Sequence, residues 1–414
     1  MNWRSLPPWG NQFYELDWEG AMTLITRVEV HEFGFDAENL GTICGANSIG
    51  GIVYSKGAVT RIGKYAVVVE TEDGGRGEYV THWVGSASAC AQTKMLGPHL
   101  VGRHAEHREG IYNDLKRELR QFDHMGHGPL DIALWDWAGK KLGCSVGMLL
   151  GSYRQRLPAY ASTYHADRNG GLDSKEAFAD FAEECFGLGY RAFKIHGWND
   201  GNAREEAQNL LHVAKEVGDR MTLMIDPACE LRTFADTLYV GRACDDAGYF
   251  WFEDPYRDTG VSAFAHNKLR SMIKTPILQT EHIRGVEPKA DFLVAGGTDF
   301  LRSDPEFDMG ITGAMKIAHL GEAFGIDVEV HACGPAHRHV MSAMRNTNFY
   351  EVALVGPDTP NAVPPVYTCG YSDMLDCVGV DGCVPVPEGP GLGVVYDWEF
   401  IERNRTALSV FDND

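Results

Sequence analysis

Asp226, Glu253 and Glu281 lie 27 and 28 residues apart, and each closes a short apolar run: TLMID, YFWFE and PILQTE. That interval is one strand-plus-helix unit, so neighbouring parallel strands would bring the three carboxylates to one point. Left alone they would repel and force protonation; a shared cation removes the conflict. An all-oxygen donor set suits Mg²⁺, with Mn²⁺ possible, better than Zn²⁺. Any one of these residues alone reads equally well as a helix cap or an ion-pair partner. Three in successive strands point to a metal.

Other ionisable residues fall at the same strand ends. In Phe193-Lys194-Ile195-His196 the period of two puts Lys194 and His196 on one side and the apolar pair on the other. His331 follows Asp304 by one more unit, so the carboxylate is placed to bond Nδ1 and set the imidazole tautomer. Glu351, in TNFYE, reads equally as a structural carboxylate. A cation between a Lys/His pair and a His–Asp dyad suits removal of the proton α to a carboxylate. The metal and Lys194 would stabilise the charge that develops on that carboxylate, and a protonated Glu351 would donate to the other enolic oxygen.

Several features read as structural. His337 and His339 belong to a surface or a supporting layer, and alternation turns His282 away from the barrel interior. Trp135, Trp137, Leu142 and Leu149 read as helix core. GTICGANSIGG lacks the lysine and the strand–helix context of a nucleotide loop. HxH and HExxH are absent, which argues against a zinc hydrolase.

The elements that must position these residues show a rhythm. Eight short apolar runs recur between about 156 and 355, separated by helical periods. Ser174 is placed to cap one helix; Ala207, Leu210, Leu211, Ala214 and Val217 line a second that stops at Gly218. This predicts a parallel α/β barrel. Residues 24–81 read instead as strand–turn–strand with an Asp-Gly-Gly turn, and 370–402 as turn-rich, so a small α+β unit should sit beside the barrel. The 414 residues carry a net charge of −21 without a basic block, which disfavours nucleic acid and anionic membranes as partners. No apolar run is long enough to span a bilayer, and the start lacks signal-peptide order. The 10 cysteines are scattered without a CxxC pair, which predicts a reduced, cytoplasmic protein.

The chain resembles the enolase superfamily in its mandelate racemase-like subgroup from about Leu24 to Glu402. The resemblance is carried by DIALWD with AGKKLG, by FEDP, and by Asp304 ahead of Met309-Gly310-Ile311-Thr312. It implies a modified TIM barrel, (β/α)7β, over 156–369, and an α+β capping domain over 22–155 on which 370–414 packs. Residues 1–21 remain as an extension without a functional account. It also implies Asp226, Glu253 and Glu281 as Mg²⁺ ligands, Lys194 as the contact to the substrate carboxylate, Asp304–His331 as the dyad and Glu351 as the electrophile. Where the subgroup has Lys-x-Lys this chain has Lys194-Ile195-His196, so His196 occupies the position of the second base. The absence of a histidine two residues after Asp226 disfavours mannonate and galactonate dehydration. Two cap loops would set specificity, with Asn47, Tyr54, His82 and Trp83 suited to a polyhydroxylated ligand. The implied activity is dehydration of an aldonate or aldarate to a 2-keto-3-deoxy acid through an enediolate. Racemisation or epimerisation and cycloisomerisation follow as alternatives, and a non-catalytic metal-binding barrel is a remote one. Relatives of this kind form dimers or octamers.

Overall fold

The structure, a computed structural model, describes residues 22–42, 52–82, 87–165, 170–198, 200–257, 260–358 and 363–413. Asn47, Trp83 and residues 1–21 lie outside these. In chain order the first part comprises β1 (Ile25–Thr42), β2 (Ile52–Thr71), β3 (Arg76–Val80), α1 (Ala87–Leu96), α2 (Arg108–Glu118), α3 (Gly128–Leu142) and α4 (Val146–Leu150). Eight strands then alternate with seven helices: β4 (Arg156–Thr163), α5 (Lys175–Leu188), β5 (Ala192–His196), α6 (Ala203–Val217), β6 (Thr222–Asp226), α7 (Phe234–Ala247), β7 (Trp251–Glu253), α8 (Ala263–Arg270), β8 (Ile277–Gln279), α9 (Val286–Val294), β9 (Phe300–Ser303), α10 (Gly310–Phe324), β10 (Val328–Val330), α11 (Pro335–Ala343) and β11 (Tyr350–Val355). The chain continues through β12 (Cys383–Pro385), α12 (Trp398–Arg403) and β13 (Arg405–Asp412).

Two sheets result. An antiparallel one has the order β13-β1-β2-β3, and the second runs β10-β9-β8-β7-β6-β5-β4-β11, parallel throughout, with β12 added antiparallel to β4. All eight apolar runs are strands of the second sheet, which is the (β/α)7β arrangement expected. Val28 faces Val69 and Val30 faces Val67 across β1 and β2; all four are buried, the cross-strand pairing that branched side chains favour. The β2–β3 turn is held by Asp73, which accepts from the Gly75 amide at 3.1 Å and the Thr71 hydroxyl at 2.6 Å.

Around the barrel, helix starts follow capping chemistry. Ser174, Thr233 and Ser262 each accept the amide three residues on. The α6 stripe Ala207, Leu210 and Val217 is buried, whereas Leu211 turns outward. Inside the barrel Tyr160, Ala192, Met224, Trp251 and Leu278 form a packed layer that serves as the floor of the site.

The capping sheet grips one particular barrel loop. On α3, Asp131 accepts from the Thr312 hydroxyl at 2.6 Å and its amide at 3.0 Å, while Glu306 accepts from the Tyr79 hydroxyl and the His82 amide, both at 2.6 Å. A Cβ at Gly310, where φ is +86°, would fall 2.1 Å from the Asp131 carboxylate, so only glycine permits this approach. The gripped loop leads from Asp304 into α10. One reading of a helical residue differs from expectation: Leu142 is exposed at the end of α3 rather than in its core. Of the surface and the supporting layer expected for His337 and His339, both occupy the supporting layer, fully buried. β13 also joins the first sheet where the sequence showed only turns ahead of it.

β10 and β11 meet at the barrel closure through side chains. Buried Glu329 accepts from the Asn348 amide at 3.1 Å and its side-chain nitrogen at 2.6 Å. Burial pushes this carboxyl up to about 7, against the Asn348 and Phe349 donors. A raised acid favours the folded state fully below its ordinary value of 4.5 and loses that contribution as pH rises through about 7. The expected loss from this one group is about 3 kcal/mol. Glu329→Gln, neutral at every pH, should lack it, so urea unfolding at pH 5 and pH 8 should show a smaller difference than in the parent. Equal differences in the two proteins would remove Glu329 from the account.

Candidate active site

The strand ends bring the predicted ionisable residues to one mouth. Asp226 ends β6, Glu253 ends β7, and Glu281 follows β8 by two residues. One carboxylate oxygen from each lies within 4.8 Å of the other two. The backbone bends sharply beyond these strands: φ is positive at Ala228 (51°), Cys229 (61°), Asp254 (34°), Thr280 (90°) and Ala332 (61°). Such conformations are costly for residues other than glycine and persist where packing enforces them. At Thr280 the bend also breaks strand alternation. His282 therefore lines the cavity with Glu281, its Nε2 3.4 Å from Asp254, instead of facing away as alternation predicts.

Two buried cations oppose the carboxylates. Lys194 Nζ lies 3.0 Å from Glu253, 2.9 Å from Glu351 and 3.7 Å from Asp226. Arg302, on β9, places Nε 2.8 Å from Glu253 and donates a terminal nitrogen to Glu351 at 2.6 Å. Burial pushes the Glu253 carboxyl up against the pull of Arg302 and Lys194, and the net shift is upward. For Asp226 burial is outweighed by His196 and Lys194, which hold it below the usual carboxylate range. The donor chemistry fits a hard divalent cation: three oxygens converge with no sulfur or nitrogen among them.

His331 and His196 flank this centre. Asp304 is held ionised, burial being outweighed chiefly by the charge of His337 and the bond from His331. It can then only accept, so the 2.6 Å contact with His331 Nδ1 is a donation by the ring. Nε2 is left 3.4 Å from Glu281, and the ring stacks on Phe307 with centroids 5.3 Å apart. Burial disfavours charged His331, but Glu281 and Asp304 outweigh it and raise its pKa. On the other flank His196 Nδ1 donates to the Thr163 carbonyl at 2.7 Å, and Nε2 lies 3.2 Å from Asp226. Glu351 lies between Lys194 and Arg302 and also accepts the Ala332 amide at 2.7 Å. Burial is outweighed by these two cations, which hold its carboxyl well below the usual range. In this arrangement Glu351 is ionised rather than the proton donor expected.

A cavity of about 270 Å³ opens onto these groups, lined by His196, Asp226, Glu281, His331 and Glu351 together with His165, His282, Arg284 and Phe307. Two residues expected to touch substrate are elsewhere. Tyr54 is buried with its hydroxyl 3.4 Å from Asp358, and His82 is buried against Tyr367. Sequence reasoning missed Arg302, although a charged residue inside FLRSD, two positions before Asp304 and hence on the same face, was a usable signal. Arg284 and Phe307 lie on loops and carried none.

Two family descriptions match the chain: "Mandelate racemase / muconate lactonizing enzyme, N-terminal domain" over 49–151 and "Enolase C-terminal domain-like" over 177–400. A D-galactarolactone cycloisomerase of Agrobacterium fabrum is 28% identical over 75% of this chain and 82% of its own. A D-gluconate dehydratase of Thermoproteus tenax is 26% identical over 68% of this chain, and the match spans only 56% of that relative. The crystal structure of an Agrobacterium tumefaciens D-glucarate dehydratase complexed with magnesium superposes with a TM-score of 0.80 at 28% identity, over 93% of this chain and 99% of the other. Dehydratases, cycloisomerases and a racemase are all among the relatives.

Proposed function

Because the chain belongs to the enolase superfamily, in its mandelate racemase/muconate lactonizing enzyme family, we propose that it removes the proton α to the carboxylate of an acid sugar and expels the β-hydroxyl, yielding a 2-keto-3-deoxy acid. The observation that carries this is the His331–Asp304 pair, its ring nitrogen fixed at 2.6 Å and its free edge turned to the carboxylate triad.

Asp226, Glu253 and Glu281 would hold a Mg²⁺ ion, whose chemistry when bound is to draw negative charge from the substrate carboxylate. Lys194 adds a fixed positive charge at the same point. His331 and His196 approach the cavity from different strands. One accepts the α-proton; the other donates a proton to the β-hydroxyl, which leaves as water while the α,β double bond forms. The enol then takes a proton at the β-carbon to give the ketone. Asp304 holds His331 in one tautomer and stabilises its cation.

Racemisation is the second reading, favoured by one observation: His196 and His331 line the same cavity from different strands, and inversion needs two bases. Proton NMR of pooled acid sugars with enzyme and Mg²⁺ in D₂O separates the readings. A 2-keto-3-deoxy product with deuterium at C3 is expected. Exchange with inversion and no product would replace dehydration by racemisation, and no exchange at all would remove both.

A further inference from the structure

Arg284 differs from the buried arginines of the barrel. Arg302 and Arg338 are each matched by carboxylates. Arg284 lines the catalytic cavity, yet among the described residues no carboxylate lies within ion-pairing distance of it. Its guanidinium sits 4.7 Å from the centroid of the Phe307 ring, one terminal nitrogen donates to the Glu281 carbonyl, and the other reaches Met125 Sδ at 3.9 Å. One neutral acceptor and a thioether leave most of its five donors without a strong partner. The aromatic face fixes the plane of the fork and strips water from one side of it. Met125 belongs to the capping part of the chain and Phe307 to the loop that the cap grips, so Arg284 stands where barrel meets cap, beyond the carboxylate triad.

We infer that Arg284 is the receptor for a second anionic group at the far end of the substrate, so that the preferred acid sugar carries two negative charges. The inference rests on the acid-sugar reading above and narrows it. A planar fork held on an aromatic ring pairs with a carboxylate or a phosphate in two parallel hydrogen bonds, whereas a terminal hydroxyl offers a single weak acceptor. On the acid-sugar reading the first substrate carboxylate belongs to the metal and to Lys194 on β5, whereas Arg284 stands after β8 among Phe307 and Met125. A doubly charged acid would meet a separate cation at each charge.

The test uses the Mg²⁺-loaded enzyme with hexarates, 6-phosphohexonates and hexonates in turn. Relative kcat/KM is read from deuterium wash-in at the α-carbon, and affinity from calorimetry. One doubly charged class is expected to exceed the hexonates by about 30-fold or more, and the class that does so identifies the distal group as carboxylate or phosphate. Arg284→Met should bring that ratio to within a few-fold, with Arg284→Lys intermediate; the Mg²⁺-dependent thermal shift checks that both variants fold. Hexonates equal to or better than both doubly charged classes in the parent enzyme, or a ratio unchanged in Arg284→Met, would overturn the inference. If no acid exchanges, the acid-sugar reading falls and calorimetry alone decides. Binding of a doubly charged acid that is lost in Arg284→Met supports the anion site; equal binding in both proteins, or none in the parent, refutes it.

Discussion

Glu253→Gln is expected to lower turnover more than about 10³-fold and to abolish the stabilisation that Mg²⁺ confers. Glu253 is fully buried and accepts from Lys194 at 3.0 Å and Trp251 at 3.2 Å while pairing with Arg302. An amide keeps the volume but removes the charge and turns an NH₂ toward one of two cations. The fold itself will weaken, because two buried cations lose part of their compensation, at a cost of about 3–5 kcal/mol. The informative quantity is therefore the difference in unfolding free energy with and without Mg²⁺. A ligand at 100 times its Kd adds about 2.7 kcal/mol, and that increment should vanish in the variant. Activity retained in Glu253→Gln would take this residue out of the ligand set.

His331→Asn separates chemistry from metal binding. Asparagine can still donate to Asp304, so the buried carboxylate keeps a partner, but position 331 no longer presents a titratable nitrogen to the cavity. Turnover should fall by about 10²–10⁴-fold while the Mg²⁺ increment survives. Normal turnover would show that the dyad is not the proton-transfer pair, and loss of the Mg²⁺ increment would place His331 in the metal's support. The two variants together distinguish a damaged cation site from a missing base.

Legibility in the sequence tracked periodicity. Parallel strands buried on both faces read as short apolar runs, so all eight were visible, and a polar residue closing nearly every run marked the mouth of the barrel; Glu351, the second residue of β11, is the exception. The carboxylate spacing was legible because one strand-and-helix unit has a narrow range of lengths. What failed was whatever depended on departures from period. His282 was assigned to the wrong face because Thr280 adopts a positive φ that no pattern of residue types encodes. For His337 and His339 residue type leaves surface and supporting layer open, and contacts decide for the latter: His337 lies 3.3 Å from Asp304, and His339 accepts the Gly147 amide from α4 at 3.1 Å. Tyr54 and His82 suited a sugar chemically, yet residue type does not reveal that both are consumed in packing. β13 was invisible because most of its residues are exposed and it lacks the apolar face by which strands are recognised.

The pairing of β13 with β1 has a consequence for biosynthesis. β1 is made early and finds β2 on one side at once, but its other edge receives its partner only after the whole barrel has been translated. At 5–20 residues per second the intervening chain takes on the order of half a minute to appear. For that interval the nascent cap presents a long strand with open backbone donors and acceptors, the kind of edge that templates association with other chains. Yield on expression should therefore depend on how well that edge is shielded on the ribosome, and a supplied holdase should help this protein more than one whose sheets close in the order they are synthesised.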